Sequence, residues 1–431
     1  MRILVLGGYG NFGARIAKAL ATDAQIELLI AGRDGQRARD LAGQLGGRAM
    51  GIALDASKAG FAAQLDKLAR MGSSGSVSQF DQLSLIGEQG QPSQAGALEH
   101  ADAASPGLVI HTAGPFQAQS YGVALAAAQA GWHYIDLADG RRFVCDFPQT
   151  MDARFKAAGR FACSGASSVP ALSSAVVSFL CAGWQRIDSI DTCIAPAQTA
   201  PRGRATLEGV LSYCGVGIRV LEQGRWQMRR GWANPVRVEF ERLESRRGAL
   251  CDVPDLELFP QRFGVKERVM FRAALEVGLA QMALAWLAYW RANWGKFDVP
   301  RMARVLNRAA VLLDPFGSSL GGMVVRVRGL NEAGQPCQRA WHLAADDDHG
   351  PEIPCMAAIV LARRLARGGV DAKQPPLPTG AFACMDFLVL DDFLPEFARW
   401  GMLTETKEEK ITGAAPSPLP VTQPAVRGKK Y

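Results

Sequence analysis

The sequence has few of the residues from which metal sites and disulfide frameworks are built. It contains five histidines and nine cysteines, and no two cysteines stand in a C-x-x-C spacing. An odd number of widely spaced cysteines is typical neither of a disulfide framework nor of a zinc site, so reduced thiols and a cytoplasmic location are expected. The H-E-x-x-H metal pattern and a Ser/His/Asp nucleophile pattern are also missing, and no metal is expected.

Long uncharged apolar runs and blocks of basic residues are missing too. The most apolar stretch, 269–290, contains Arg272, Glu276 and Gln281, and a charge near a helix centre opposes membrane insertion by about 2.5–3.5 kcal/mol. A core or subunit-interface helix is therefore expected there, with contact to a membrane surface as the less favoured alternative. The net charge of +7 is spread along the chain, which argues against a nucleic-acid partner. No signal peptide is expected, because the first strand candidate begins at residue 2.

The remaining composition is that of a globular protein with two or three domains. The chain has 431 residues, of which 48% are hydrophobic and 21% charged, an ordinary balance for a folded core. Strand and helix patterns alternate over residues 1–182, which predicts a parallel, doubly wound sheet. The strand candidates are 2–6, 26–31, 48–54, 107–112, 132–137 and 160–164. Residues 73–106 are rich in Ser, Gly, Gln and Ala and are predicted to form a flexible insertion.

The pattern changes at about residue 185 and predicts a second, α+β domain over 185–345 with a mainly antiparallel sheet. Hairpin signals occur at 220–226 and over 324–343, and helices are predicted near 204–216 and 267–294. A further helix is predicted over 351–367. Residues 405–431 are charged and then Pro-rich, and a disordered tail is expected there.

The strongest functional signal lies directly behind the apolar residues 3–6. It is the G-x-G-x-x-G run made by Gly8, Tyr9, Gly10, Asn11, Phe12 and Gly13. A helix candidate and a second strand candidate follow, and this context is that of a dinucleotide-binding fingerprint. In such a turn Gly10 lets the backbone approach a pyrophosphate, which meets free N–H groups at the positive end of the helix dipole. A glycine turn without a ligand is the alternative.

The end of the second strand candidate bears on the choice of cofactor. A carboxylate near this point would accept hydrogen bonds from the ribose hydroxyls of NAD. The chain instead has Gly32, which leaves room, and Arg33, whose guanidinium can grip a 2′-phosphate. This pattern favours NADP(H) over NAD(H), although Asp34 is the residue that would serve the hydroxyls instead. Asp55 is a candidate for the adenine amine or, equally, a capping or loop acid.

Three further segments end strand candidates at the carboxyl edge, where ligands bind in such sheets. The first is the loop formed by Thr112, Ala113, Gly114, Pro115 and Phe116, which is expected to border the nicotinamide ribose with Phe116 against the ring. Asp136 is a candidate either to bind substrate or to hold a neighbouring side chain. Ser167 and Ser168 either hold a carboxamide or anionic group or cap a helix.

These motifs together resemble the saccharopine dehydrogenase-like family with its NADP-binding domain. The resemblance rests on GGYGNFG, AGR, TAGPF, HYIDLADG and SGASSVPALSS. It implies a Rossmann domain, a second α/β domain and a late helix, within 351–400, that returns to the first domain. By position, Gly8, Gly10 and Gly13 would hold pyrophosphate, Arg33 the 2′-phosphate, and 112–116 with Ser167 and Ser168 would border the nicotinamide. In typical members of the family a cysteine at this position is followed closely by an Asp/Asn-Pro-Gly turn, whereas Cys163 is followed by Ser-Gly-Ala-Ser-Ser-Val-Pro. The resemblance therefore does not define the substrate.

The second domain supplies weaker candidates. Arg202 and Arg204 are placed to clamp a carboxylate or, more commonly for arginines, to face solvent. Glu276 and His349 are candidate proton donors with structural roles as the alternative. The sequence thus predicts an NADP(H)-dependent oxidoreductase acting on a C=N, C=O or activated C=C bond of a small substrate, with homodimerisation left open. The alternative is a non-catalytic NADP-binding or membrane-surface-associated protein.

Overall fold

The computed structural model describes residues 1–58, 60–70, 106–294, 299–368 and 375–411. In chain order its strands are β1 (Arg2–Leu6), β2 (Glu27–Gly32), β3 (Ala49–Ala53), β4 (Leu108–His111), β5 (His133–Asp136), β6 (Phe161–Ser164), β7 (Arg186–Ala195), β8 (Gly217–Glu222), β9 (Arg225–Arg230), β10 (Val236–Val238), β11 (Arg246–Leu250), β12 (Arg268–Ala274), β13 (Gly321–Leu330), β14 (Pro336–Ala345), β15 (Gly380–Ala383) and β16 (Leu403–Lys410).

The α-helices within the same ranges lie mostly between those strands. They are α1 (Asn11–Leu20), α2 (Gly35–Leu45), α3 (Phe61–Arg70), α4 (Gly122–Gln129), α5 (Arg141–Ala158), α6 (Ser173–Leu180), α7 (Arg204–Ser212), α8 (Asp255–Arg262), α9 (Gly278–Trp294), α10 (Ala303–Val311), α11 (Ile353–Ala366) and α12 (Leu394–Arg399).

The first sheet is parallel throughout, with the strand order β15-β6-β5-β4-β1-β2-β3. Its strands are short apolar runs because both faces are buried, as parallel sheets require. Ile3 and Val5 face α1 and α11, whereas Leu4 and Leu6 face α3 and α4. The chain winds in both directions from β1, so the switch point lies between β1 and β4. The six predicted strands and the doubly wound sheet are confirmed.

The second sheet has the order β10-β11-β12-β7-β13-β14-β16, with β8 pairing both β12 and β9. Its pairs are antiparallel except β12 with β7. The predicted α+β domain with a mainly antiparallel sheet is confirmed, and so are both hairpins. The late return is confirmed as well, because α11 packs on α1 and β15 pairs with β6 at the edge of the first sheet.

The prediction of one helix over 267–294 is wrong, because the segment divides into β12 and α9. Val269, Met270 and Phe271 are all buried in the middle of the second sheet. A strand buried on both faces reads as a continuous apolar run, which periodicity alone does not distinguish from a buried helix. None of the helices in the described ranges meets the length and apolarity needed to cross a membrane.

The expectation of a disordered tail over 405–431 is wrong for its first part. Residues 405–410 belong to β16, which pairs antiparallel with β14 along eight residue pairs. Its side chains are mostly exposed, as is typical of a charged edge strand, so its composition resembles that of a tail. Residues 412–431, and 73–105 of the predicted insertion, lie outside the described residues. The proposed domain boundaries stay predictions.

Candidate functional site

The glycine run forms a tight turn between β1 and α1. The backbone N–H groups of Gly7 and Gly8 both donate to the Ala31 carbonyl, at 2.8 and 3.0 Å. Gly7 has a φ of +81°, which glycine adopts at little cost. A Cβ at Gly13 would lie 2.7 Å from Thr112 Oγ1 and 2.8 Å from Gly8 Cα. Helix and strand approach so closely here that only glycine fits at position 13.

The first turn of α1 is open. Gly10 is its N-cap, has no side chain to cap it, and is exposed. A Cβ at Gly10 would meet only the Gly7 carbonyl oxygen, at 3.0 Å. In the described part of the chain no acceptor is found for the N–H groups of Asn11, Phe12 and Gly13. Unsatisfied donors at the positive end of a helix bind anions, so this turn fits a diphosphate.

The side chains of Asn11 and Phe12 serve the protein itself, which leaves their backbone amides for a ligand. Asn11 Oδ1 accepts from Arg15 at 2.7 Å, and its Nδ2 donates to the Pro201 carbonyl at 3.3 Å. Arg15 in turn pairs with Glu352 at 2.9 Å. The Phe12 ring packs on the core. These contacts join the glycine turn to the return segment and to the second domain.

The end of β2 is shaped by Tyr9. Its ring takes the room beside Gly32, where a Cβ would lie 2.7 Å from the Tyr9 hydroxyl. That hydroxyl accepts a hydrogen bond from the Asp34 N–H at 2.9 Å, and the Arg37 guanidinium lies 4.7 Å from the ring centroid. Asp34 caps α2 by accepting from the Arg37 N–H at 3.1 Å. Arg33 is exposed. The edge thus presents two guanidinium groups and one carboxylate engaged in capping.

Asp55 is a loop acid close to that edge. It accepts hydrogen bonds from the Ser57 N–H and hydroxyl, at 3.0 and 2.7 Å. The hydroxyl bond is the main reason that its pKa is lowered, and the charge of Arg33 adds to the effect. These hydrogen bonds correspond to the role of a loop acid, which is one of the alternatives that the sequence left open. Contact with an adenine amine stays a prediction.

The loop from Thr112 to Phe116 is held from both sides. The Thr112 hydroxyl lies 2.9 Å from the Leu6 carbonyl oxygen and 3.2 Å from that of Gly7. Gln119 donates to the carbonyls of Ala113 and Pro115 at 2.7 and 2.9 Å. The Gly114–Pro115 peptide bond is cis. The loop backbone is therefore preorganised beside the glycine turn.

The Phe116 ring does not line this loop's outer surface. It is 5% exposed, with its centroid 5.0 Å from that of His111 and 5.3 Å from that of Phe143. The sequence expectation that this ring lies against a nicotinamide therefore gains no support. His111 is also buried, which lowers its pKa to about 4, so the imidazole is neutral near pH 7. Its Nδ1 lies 3.1 Å from the Tyr134 hydroxyl.

Asp136 fastens the loops that follow β5 and β6. Its Oδ1 accepts from the N–H groups of Ala138 and Gly165 and from the Ser164 hydroxyl, at 3.0, 2.8 and 2.9 Å. Burial raises its pKa to about 6 although these bonds oppose the shift. Of the two roles predicted, the geometry corresponds to holding neighbouring groups. Asp136 is enclosed, with no exposed surface.

Ser167 and Ser168 lie at the carboxyl edge in the connection from β6 to α6. Both are buried, at 8% and 7% exposure. Ser167 precedes a π-helical turn, Ser168–Leu172, but its side chain makes no capping hydrogen bond. The capping alternative is therefore not realised by Ser167, and the predicted contact with a ligand stays open.

Three of the four further candidates have partners within the described chain. Arg202 binds a carboxylate, that of Asp314, at 2.6 Å, and also the Gln198 carbonyl. Arg204 begins α7, and its side chain lies outside the described part of the structure. Glu276 accepts from the Ser318 hydroxyl at 2.6 Å. The His349 ring centroid lies 4.9 Å from that of Trp400.

A set of residues that the sequence did not single out joins the two domains at the same edge. We call it the interdomain cluster, and it consists of Gln117, Asp139, Arg141, Asp252 and Glu257. Arg141, only 7% exposed, donates to Glu257 at 2.9 Å and to Asp252 at 3.2 Å. It begins α5, where the dipole disfavours a cation. That local conflict is the one sequence signal that could have revealed it.

The remaining members of the interdomain cluster come from the Rossmann side. Gln117 directly follows Phe116 and donates to Asp139 at 3.1 Å. Its Oε1 is buried, with no partner among the described residues. Burial raises the pKa of Asp139, and no cation pairs with it in the described ranges. Burial also raises the pKa of Asp252, whereas Arg141 opposes that shift. Polar groups thus converge between the first sheet's carboxyl edge and the second domain.

No group of three or more His, Cys, Asp or Glu residues in the described ranges is arranged to hold a metal ion. All nine cysteines are free thiols.

Comparisons with known proteins place the fold. No protein-family model matches the chain, and no curated protein matches its sequence. Among solved structures, apo saccharopine dehydrogenase (L-Glu forming) from Saccharomyces cerevisiae is 12% identical, with a TM-score of 0.60 over 95% of this chain and 99% of that one. Homospermidine synthase from Legionella pneumophila, in complex with NAD, is 11% identical, with a TM-score of 0.55 over 98% of this chain and 94% of that one. The chain therefore has the two-domain fold of these proteins, as the sequence resemblance implies.

Proposed function

We propose that the protein is a nicotinamide-dinucleotide-dependent oxidoreductase of the saccharopine dehydrogenase-like type. The observation that carries this proposal is the open first turn of α1, with exposed Gly10 and unsatisfied amides, beside the switch point of a parallel sheet. That position is where doubly wound sheets bind dinucleotides. The folds of saccharopine dehydrogenase and of the NAD complex of homospermidine synthase support it.

The second part of the proposal is a preference for NADP(H). Arg33, which directly follows β2, and Arg37, which lies over the Tyr9 ring, are both exposed, and a guanidinium binds a 2′-phosphate bidentately. The carboxylate that would serve an unphosphorylated ribose, that of Asp34, accepts the Arg37 N–H instead. NAD(H) stays the alternative, because the carboxylate retains lone pairs for further donors.

The bound cofactor supplies or accepts a hydride at a C=N, C=O or activated C=C bond of a small substrate. The chain's own residues position the groups around it: Thr112 and Gln119 hold the loop beside the glycine turn, and Asp136 holds the next two loops. We assign substrate contact to the interdomain cluster. Asp139 is the member whose pKa is raised by burial and that has no cationic partner in the described chain, and a carboxyl group with a raised pKa is better suited to donate a proton than an ordinary one.

Cofactor-dependent stabilisation tests the proposal. Thermal unfolding is expected to shift upward with NADPH, and less with NADH at the same concentration, because a ligand stabilises by binding only the folded state. Arg33→Ala is expected to weaken NADPH more than NADH, since only NADPH has the 2′-phosphate. Arg48→Ala, an exposed arginine on the loop before β3, serves as the matched control. No stabilisation by either nucleotide would refute the proposal.

Turnover separates the enzyme from a non-catalytic dinucleotide-binding protein. NADPH oxidation is expected with at least one member of a panel of imines, ketones and enoyl compounds. Asp139→Asn is expected to lower kcat at least tenfold while leaving NADPH stabilisation unchanged. Stabilisation without any turnover would favour the non-catalytic alternative. The nine free thiols support activity in the reducing cytoplasm.

A further inference from the structure

Helix α9 exposes a continuous apolar stripe. We call it the aromatic face, and its members are Leu279, Met282, Trp286, Tyr289, Trp290 and Trp294. Their side chains are between 37% and 71% exposed, and their spacing of three or four residues places them on one side of the helix. Large apolar patches of this kind on a protein surface mark interaction sites.

The opposite side of α9 is firmly seated on the second domain. Gln281 and Ala288 are fully buried, and Gln281 accepts the Leu275 N–H at 3.0 Å. Arg291 donates to the carbonyls of Ser212 and Cys214, at 3.2 and 2.8 Å. The aromatic face therefore does not result from a detached helix whose own core contacts are missing. It is the outer surface of a docked element.

Helix α10 adds exposed cations and further apolar groups. Arg304 and Arg308 are one turn apart and exposed, and neither has an ion-pair partner within the described chain. Val305 and Leu312 are 62% and 76% exposed. Both helices adjoin α7, because α10 packs on it and Arg291 of α9 bonds to its end at Ser212. Within 277–294 and 299–313 there is no acidic residue.

We propose that the aromatic face, together with the exposed Arg304 and Arg308 of α10, binds the surface of a membrane that contains anionic phospholipid. Trp and Tyr rings favour the headgroup region because one part of each ring system is apolar and another is polar. Exposed arginines strengthen binding to an anionic surface. No described helix is suited to cross a membrane, so binding is peripheral.

Charge argues for a membrane over a second copy of the chain. In a twofold contact the same patch would face itself, and Arg304 and Arg308 would then meet a surface with no acid in 277–294 or 299–313 to pair them. Anionic headgroups provide the complementary charge that such a self-contact lacks. This inference does not depend on the proposed function.

Vesicle cosedimentation of the full chain tests the proposal. Binding is expected to phosphatidylcholine vesicles containing phosphatidylglycerol, to be weaker without phosphatidylglycerol, and to decrease with salt. The paired change Trp286→Ser and Trp290→Ser is expected to lower the partition coefficient tenfold or more, because it removes two apolar rings whose transfer from water to the membrane interface favours binding. Arg304→Glu with Arg308→Glu is expected to lower binding to the anionic vesicles only.

Phe179→Ser provides the matched control, because Phe179 is an exposed aromatic residue on α6. It is expected to bind vesicles as the unchanged protein does. Far-ultraviolet circular dichroism and the thermal unfolding midpoint report whether each variant is folded. Absence of vesicle binding by the unchanged protein, or equal loss in the Phe179 control, would overturn the proposal. So would a dimer in sedimentation velocity that the tryptophan changes dissociate while vesicle binding is absent.

Discussion

A single methyl group at Gly10 distinguishes a dinucleotide cradle from a structural turn. In Gly10→Ala the new Cβ meets only the Gly7 carbonyl oxygen, at 3.0 Å, and otherwise points into open space at the N-terminus of α1. Alanine is a poorer N-cap than glycine, and we expect a loss of at most about 1 kcal/mol in the free energy of unfolding. The fold therefore tolerates the change.

The effect on cofactor binding is expected to be much larger. The methyl group occupies the space through which a diphosphate would reach the N–H groups of Asn11 and Phe12. Hydrogen bonds to a charged group contribute about 1.5–3 kcal/mol each, so the loss of two corresponds to roughly a hundredfold weaker binding or more. Titration of NADPH fluorescence with protein measures this change, and urea unfolding measures stability in parallel.

Two further glycines make the comparison decisive. In Gly13→Ala the Cβ would lie 2.7 Å from Thr112 Oγ1 and 2.8 Å from Gly8 Cα, so overpacking is expected to cost about 1–3 kcal/mol of stability as well as cofactor binding. In Gly43→Ala, on the exposed side of α2, no atom lies within 4 Å. That control is expected to gain up to about 1 kcal/mol and to bind NADPH normally. If Gly10→Ala binds NADPH as tightly as the Gly43 control, the diphosphate assignment is refuted.

Three more predictions concern buried polar groups. Burial raises the pKa of Asp255 to about 7, so between about pH 4 and 7 the folded form holds a proton that the unfolded chain has lost, and the free energy of unfolding falls as pH rises, by roughly 4 kcal/mol at most. Asp255→Asn should remove this part of the pH dependence. A free energy of unfolding in urea that changes equally between pH 5 and pH 8 in both proteins would contradict the prediction. Thr112→Val removes the hydroxyl near the Leu6 and Gly7 carbonyls and should cost about 1 kcal/mol in the same assay; an unchanged unfolding midpoint would count against that role. Arg141→Leu should cost about 2 kcal/mol, because Asp252 and Glu257 lose their cation, and a stability equal to that of the unchanged protein would show that the pairs contribute nothing.

Much of the first domain could be predicted from local sequence patterns. Each strand of its sheet is a short apolar run between turn residues, and the glycine spacing requires only neighbours along the chain. Such features follow from backbone conformation and burial within one strand–turn–helix unit, so they are readable without knowing what packs on them. The same holds for the hairpins of the second domain, whose turns are local.

The tertiary structure decided everything that depends on partners distant in sequence. Arg141 meets Glu257 and Asp252 across separations of 116 and 111 residues, and no local pattern specifies that meeting. Phe116 turns into the core because Phe143 lies beside it.

Element type was also decided by packing where composition was ambiguous. Residues 268–274 form a strand because β7 and β11 flank them, and the charged residues 405–410 form one because β14 offers a free edge. Sequence alone was enough to predict a dinucleotide site at the glycine turn, since such a site depends on backbone N–H groups and small residues at fixed spacing. Which side chains surround a substrate was left to the docking of two domains, because burial and charge pairing arise only once distant segments are in contact.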